Sequence, residues 1–258
     1  MRLFKNLRKQ LIGGEKSRKY MAYAIGEILL LVIGILIALQ INNWNENRQN
    51  RNKEVILLSQ LRQEFSANLD QLNDKIDQRK NIVKSAKTLL VNFDQGDINN
   101  SDSIVYHLQR TIFIPTFNTN SSDFFSARDI SLIKNDSLRV LLAAWPSQVD
   151  QLVEEELQWV TYRDKQYLPF LTSHFQARNL YNGVQLDLEM MRTVLMDKSE
   201  KFNDRIGNSR EKIDLSDLMT SQDFEDHLGF AIMVHNLSNI QSYTLASHIE
   251  KILEQIKN

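Results

Sequence analysis

Twelve consecutive residues, Ile28 to Leu39 (ILLLVIGILIAL), carry no polar side chain. Extended back to Met21 and on to Ile41, the run reaches about 20 residues, enough for a helix to cross a hydrocarbon layer of ~30 Å. Only Glu27 and Gln40 interrupt it, both near its ends. A buried core helix seldom sustains so long an apolar run. A cleaved signal peptide fits poorly, because a long basic leader precedes the run and Ala38-Leu39-Gln40 lacks the small-x-small cleavage pattern. The chain has no cysteine, so a lipoprotein anchor is excluded. Residues 21–43 therefore read as an uncleaved single-pass membrane anchor, with residues 1–20 as its leader.

Charge sets the expected orientation. Arg2, Lys5, Arg8, Lys9, Lys16, Arg18 and Lys19 precede the span against the single acid Glu15. After it, Arg48, Arg51 and Lys53 are partly offset by Glu46 and Glu54. The positive-inside rule puts the amino terminus in the cytoplasm. Residues 44–258 are then expected in the periplasm of a bacterial inner-membrane protein. Tyr20 and Tyr23 mark one membrane interface and Trp44 the other. In the leader, Leu3, Phe4, Leu7, Leu11 and Ile12 recur at helical spacing. This fits a helix lying on anionic lipid, or no more than a basic topology flag.

Within the span, Ala22, Gly26, Gly34 and Ala38 share one helix face. Small residues four apart let a second helix approach closely, although Gly and Ala are common in any span. Glu27 is an intramembrane carboxylate. It reads as an ion or proton site or a partner's counter-charge, or as a side chain snorkelling to the nearby interface.

These residues also carry a resemblance. The segment Lys19 to Arg48 contains Lys19-Tyr20, Ala24-Ile25-Gly26-Glu27, the apolar run, and Ile37 to Asn45 (IALQINNWN). It closely resembles the opening of a family of uncharacterised bacterial single-pass membrane proteins, domain of unknown function family 6090. A weaker likeness continues over Phe124 to Leu142, where Leu132, Ile133, Asn135, Leu138 and Arg139 meet the family's Leu-Ile-x-Asn-x-x-Leu-Arg run. Just before it the family often has a small Ser/Gly step, and this chain has Ala127-Arg128-Asp129. The resemblance implies a shared architecture and no activity.

Beyond the membrane the pattern is helical. No Gly or Pro occurs between Gly34 and Gly96, so one helix can continue out of the span. The stretch Asn42 to Asn52 holds six Asn, mediocre helix formers, and is the expected weak joint. Val55, Arg62, Leu69, Ile76, Val83 and Leu90 form one heptad row. Leu58, Phe65, Leu72, Arg79, Ala86 and Phe93 form the other. Such rows signal a coiled-coil or bundle helix over about 46–94. The two arginines are either solvated or paired with acids of a facing helix. Asp94-Gln95-Gly96-Asp97 reads as its stop. An irregular middle, 95–135, is expected next, with short helices at Ser101–Arg110 and about 123–127.

Helices fill 136–258. One is expected to end near Trp145, with Pro146 opening the next. Pro169 should kink or end that helix, and Asn182-Gly183 should break the chain again. A helix from Leu186 to about Met196 and a loop around Gly207 follow. The last helix, about 222–256, carries a seam of Phe224, Leu228, Ala231, His235, Leu245, Ile249, Ile252 and Ile256, and should run antiparallel to the long helix. The expected fold is all-α: a transmembrane helix continuing into a long coiled-coil-like helix, packed in an extramembrane helical bundle.

The search for chemistry is short. With 31 basic and 32 acidic residues, the charge balance argues against a nucleic-acid partner. Without cysteine there is no thiolate metal site and no cysteine nucleophile. The five histidines show no zinc-ligand spacing, although His227 and His235, eight apart, could share a face. No GxSxG, P-loop or GxGxxG is present. Glu154-Glu155-Glu156 reads as a solvated helix face. Asp123, Phe124, Arg128 and Asp129 form the one candidate ligand loop. No catalytic residue, metal or cofactor is expected, and the chain is read as not an enzyme. Its expected partners are membrane lipid and further copies or subunits of a membrane complex. The sequence favours a membrane-anchored scaffold or accessory subunit acting through helix-mediated assembly. The alternative is a periplasmic small-molecule sensor coupled to a partner through the membrane helix.

Overall fold

The computed structural model describes residues 15–96, 98–118, 127–186 and 206–257. All regular structure among them is helical, and no strand occurs. In order the helices are α1 (Glu15–Gln95), α2 (Ser101–Thr111), α3 (Ala127–Leu132), α4 (Asp136–Tyr162), α5 (Leu168–His174), α6 (Ala177–Leu186) and α7 (Gln222–Lys257). A π-helical turn, Arg163–Tyr167, joins α4 to α5, and a 3-10 turn, Leu218–Thr220, precedes α7. The all-α expectation holds. The chain forms two compact units, Met1–Leu57 and Leu58–Asn258, and α1 contributes to both.

In the first unit, α1 is one of the described helices and is long and apolar enough to cross a membrane. Its large apolar side chains between Met21 and Ile41 are all exposed. The Asn-rich stretch 42–52 is helical throughout, not a frayed joint.

The second unit is a bundle of α1 from Leu58 onward, α4 and α7, with α2, α5 and α6 packed at the end that holds Leu89 and Phe224, and α3 leading into α4 at the end that holds Gln255. Gly96 ends α1 as expected. Its φ of 62°, the left-handed region that glycine enters without cost, lets its N–H bond back to the Phe93 carbonyl at 3.0 Å. The buried stripe of α1 departs from the expected heptad rows. Phe65, Leu72, Arg79 and Ala86 are fully buried, as one row required. Along the other row Val83 and Ile76 are buried, Leu69 is half-buried, and Arg62 and Val55 are exposed. The cause is geometric. A row of residues seven apart drifts by about 20° per heptad on a straight 3.6-residue helix. Leu61 and Asn68 rotate inward to replace it.

The start of α4 explains one recognised pattern. Asn135 caps the helix, its side-chain oxygen accepting from the Leu138 N–H at 3.1 Å. Its amide nitrogen reaches Gln255 of α7 at 3.1 Å. Arg139 donates to the Ile133 carbonyl at 3.2 Å and pairs with Asp136. Ile133 and Leu138 are buried. The Leu-Ile-x-Asn-x-x-Leu-Arg run is thus a helix start pinned to the last helix.

Two expectations about breaks are corrected, those at Pro146 and Asn182-Gly183, while at Pro169 the α-helix is interrupted as expected. Pro146 lies inside α4 and opens no new helix. It is exposed, and the core positions on either side, Leu142, Trp145 and Leu152, share one buried face that keeps the two halves in line. Pro169 follows the π-turn, where the Leu168 N–H bonds to the Arg163 carbonyl five residues back. The widened turn relieves the clash a proline makes with the carbonyl four residues earlier. Asn182-Gly183 sits inside α6. A Cβ on Gly183 would overlap the Gln109 side chain, so this glycine serves close packing of α6 on α2. The expected short helix at 123–127 and most of the one at 186–196 lie outside the described residues. The described α3 starts at Ala127.

The α7 seam is as expected. Phe224, Leu228, Ala231, His235, Leu245, Ile249 and Ile252 are buried, with Ile256 at the edge. Its antiparallel course follows from the contacts. Arg79 meets Ser242, and Phe93 lies 6.5 Å from Phe224.

Candidate functional site

The candidate membrane-spanning segment presents one shallow concave strip, formed by Ala22, Tyr23, Gly26, Glu27 and Leu30. Gly34 and Ala38 continue it at the same four-residue spacing. At Gly26 and Gly34 a Cβ would meet nothing within 4 Å, so the strip is open to an approaching helix. Glu27 sits on the edge of the strip and is exposed. Tyr23 is exposed, and Trp44 lies under the Arg48 guanidinium at 5.9 Å, a cation–π contact. The Tyr20 side chain is outside the described residues.

The candidate ligand loop is only partly described. Asp123 and Phe124 lie outside the described residues, as does the Arg128 side chain. Asp129 occupies the first turn of α3 and is half-buried.

The densest polar chemistry lies in the bundle, around Arg79. Helical periodicity places Arg79 on the buried stripe of α1, between Leu72 and Ala86, with no exposed surface. Its guanidinium donates to Ser242 Oγ at 2.8 Å and Asn239 Oδ1 at 3.3 Å on α7. It also donates to the Pro115 carbonyl at 3.0 Å and to Glu156 Oε1 on α4. The second Glu156 oxygen accepts the Phe117 N–H at 2.8 Å. Next to it, Trp159 Nε1 donates to the Phe113 carbonyl at 2.8 Å. The non-helical segment 113–117 is thereby stitched across the bundle by two α4 side chains and Arg79.

Glu156 corrects the reading of Glu154-Glu155-Glu156 as one solvated face. It is only 4% exposed, because it shares the α4 core face with Leu152 and Trp159 at helical spacing. Of the two arginines in the heptad rows, Arg62 is solvated and Arg79 is the paired one. Arg79 was legible as an anomaly in an apolar row. Its acceptors Asn239 and Ser242 carried no such signal, because a polar residue on a helix is unremarkable until its face is known.

His235 completes the centre. Its ring lies 4.9 Å from that of Trp159. His235 Nε2 and Arg79 Nε have no hydrogen-bond partner among the described residues. Arg79, His235, Glu156, Trp159, Pro115 and Ser238 line a cavity of about 10 Å³, close to the least volume that takes one water. His227 stands apart, hydrogen-bonded to the Tyr162 hydroxyl at 2.8 Å and 4.7 Å from the Phe170 ring. His227 and His235 therefore form no joint site. Among the described residues no three His, Asp or Glu side chains are grouped to hold a metal.

The two titratable groups at the centre pull stability in opposite directions. Burial pushes the Glu156 carboxyl up to about 7, and the Arg79 charge and Phe117 N–H hold it from rising further. Burial, and then the Arg79 cation, push His235 down to about 3. Between its ordinary value and 7, Glu156 holds more protons folded than unfolded, so its contribution falls as pH rises. Between 6.5 and 3, His235 holds more protons unfolded, so its contribution falls as pH drops. From pH 6.5 to 4.5 the two largely cancel. His235→Leu should remove one side of this balance. Its stability relative to the native chain should rise on acidification by about 1.4 kcal/mol per pH unit in that window. Thermal unfolding of both proteins at pH 6.5, 5.5 and 4.5 measures it, and parallel profiles would refute the assignment.

Residues 27–145 match the model of a family of unknown function, DUF6090. The matched stretch begins at Glu27 and ends at Trp145. It contains most of the segment that carries the resemblance, and also Arg79, the 113–117 segment and the Asn135 cap. No curated protein and no solved structure matches the chain.

Proposed function

We propose, for a chain whose residues 27–145 match a family of unknown function, a membrane-anchored scaffold or accessory subunit that works by helix-mediated assembly. The observation that carries this reading is the closed polar centre. Its cavity of about 10 Å³ is far below the roughly 300–1,000 Å³ of a small-molecule site. A fixed ion pair in a bundle core sets register between helices, a role suited to a rigid framework. The open strip at Ala22, Gly26, Gly34 and Ala38 supports docking within the membrane, where small residues allow close helix approach. Glu27 on its edge offers such a helix a polar partner.

The proposed location is the bacterial inner membrane, crossed once, with the amino terminus in the cytoplasm and the bundle in the periplasm. The charge excess before the span supports this orientation. One fusion tests both parts. A reporter enzyme that matures only in the periplasm is attached after Asn258 and also serves as the handle for capture from gently solubilised membranes. An active reporter and a stoichiometric complex, with other subunits or with further copies, are expected. An inactive reporter overturns the orientation. Recovery of a lone monomer overturns the scaffold.

A further inference from the structure

The outer side of the bundle where α1 meets α7 holds a groove of about 400 Å³, lined by Lys80, Val83, Lys84, Lys87, Val91 and Asn236. On the α1 bank, Lys80, Lys84, Lys87 and Val91 recur at spacings of four, three and four. On the α7 bank, Asn236 and Ile240 are four apart and stay exposed, Ile240 at 60%. Tyr243 extends this bank, and Lys80 lies 5.9 Å from its ring centroid. These are seam spacings. Each helix has given one seam to the core and presents a second to the outside, with a slot between them shaped for a helix.

Charge narrows the occupant. From Lys80 to Phe93 the chain has three lysines and no acid. The one carboxylate beside the row, Asp77, is already paired to Lys80 at 2.9 Å, so a groove packed on its own copy brings Lys84 and Lys87 of both together, which is repulsive. The occupant must bring acids and an apolar ridge. The outer face of α4 has both. Asp150, Glu154, Leu157 and Thr161 recur at four, three and four and are all exposed. From Ser147 to Tyr162 there are four acids, of which only Glu156 is buried, and no base. The core residues of α4, Leu152, Glu156 and Trp159, lie on the other side of the helix.

We infer that the α1–α7 groove docks the outer face of α4 from a second copy of this chain. Leu157 is seated between the two helices, with Asp150 and Glu154 against the row Lys80, Lys84 and Lys87. The inference deepens the scaffold reading and rests on it. Groove and ridge are different surfaces, so the contact is heterologous and copies add head to tail, as a closed ring or an open row.

The chain has no native cysteine, so introduced ones report without background. One copy carries Thr88→Cys in the groove, a coexpressed copy carries Thr161→Cys on the ridge, and the full-length chains are oxidised in their membranes. A Thr88-to-Thr161 crosslink is expected. Lys84→Glu with Lys87→Glu in the first copy should cut its yield on the order of tenfold, and Asp150→Lys with Glu154→Lys in the second should restore it. Absence of any crosslink, a crosslink only between two Thr88 positions, or one to a different protein would each overturn the inference. Capture of a stoichiometric foreign partner without self-crosslinking would leave the scaffold reading standing. A lone monomer in both experiments would remove both.

Discussion

Arg79→Ala should lower the unfolding midpoint of the full chain in detergent by about 10 °C, the largest effect of any single side chain in the bundle. Removing one member of a buried ion pair costs on the order of 3–5 kcal/mol, because the other member is left buried without its partner, here a carboxyl that takes up a proton once the Arg79 charge no longer holds it down. For a unit of this size each kcal/mol moves the midpoint by roughly 2–4 °C. Here the orphan is Glu156, and the Asn239, Ser242 and Pro115 acceptors lose their shared donor with it. The double variant Arg79→Met with Glu156→Leu separates lost attraction from the stranded carboxyl. It should recover most of the loss, since apolar replacements of buried pairs are often neutral or better. If the two substitutions are instead additive, the pair is not coupled and Glu156 is solvated in solution.

Trp159→Ala should follow closely, at about 3–5 kcal/mol. The indole is 2% exposed and touches the rings of Tyr167 at 5.8 Å and His235 at 4.9 Å. Its loss opens a cavity beside the polar centre and strands the Phe113 carbonyl. Trp159→Phe keeps most of the filling and loses only the hydrogen bond, so it should cost about 1 kcal/mol. Near-UV circular dichroism alongside thermal unfolding measures both. An alanine variant as stable as the phenylalanine variant would show that the indole packs against nothing rigid.

Much of the architecture was legible because helices declare themselves by period. The apolar run, the Gly96 stop and the α7 seam each rest on residues whose spacing or backbone freedom has one structural meaning. The misplaced parts share a different cause. Val55 and Arg62 fit a strict seven-residue row but fall off the seam, because such a row ignores the drift of a straight helix. Pro146 and Gly183 were read as breaks because their local cost is plain, while the continuous α4 core face and the Gln109 side chain that outweigh it are tertiary facts. The candidate site was legible in half. Arg79 stood out as a charge in an apolar row. Glu156 was hidden among like neighbours, and only the phase of α4 singles it out.

The polar centre also bears on how fast this bundle is made and lost. Arg79 reaches its partners across 36, 77 and 163 residues of chain. Contacts of such separation carry the loop-closure entropy of all three helices, so they are expected to form late. Interactions absent from the folding transition state slow unfolding without speeding folding. The Arg79 network therefore acts as a latch: the bundle gathers without it, and once it closes the native state is long-lived.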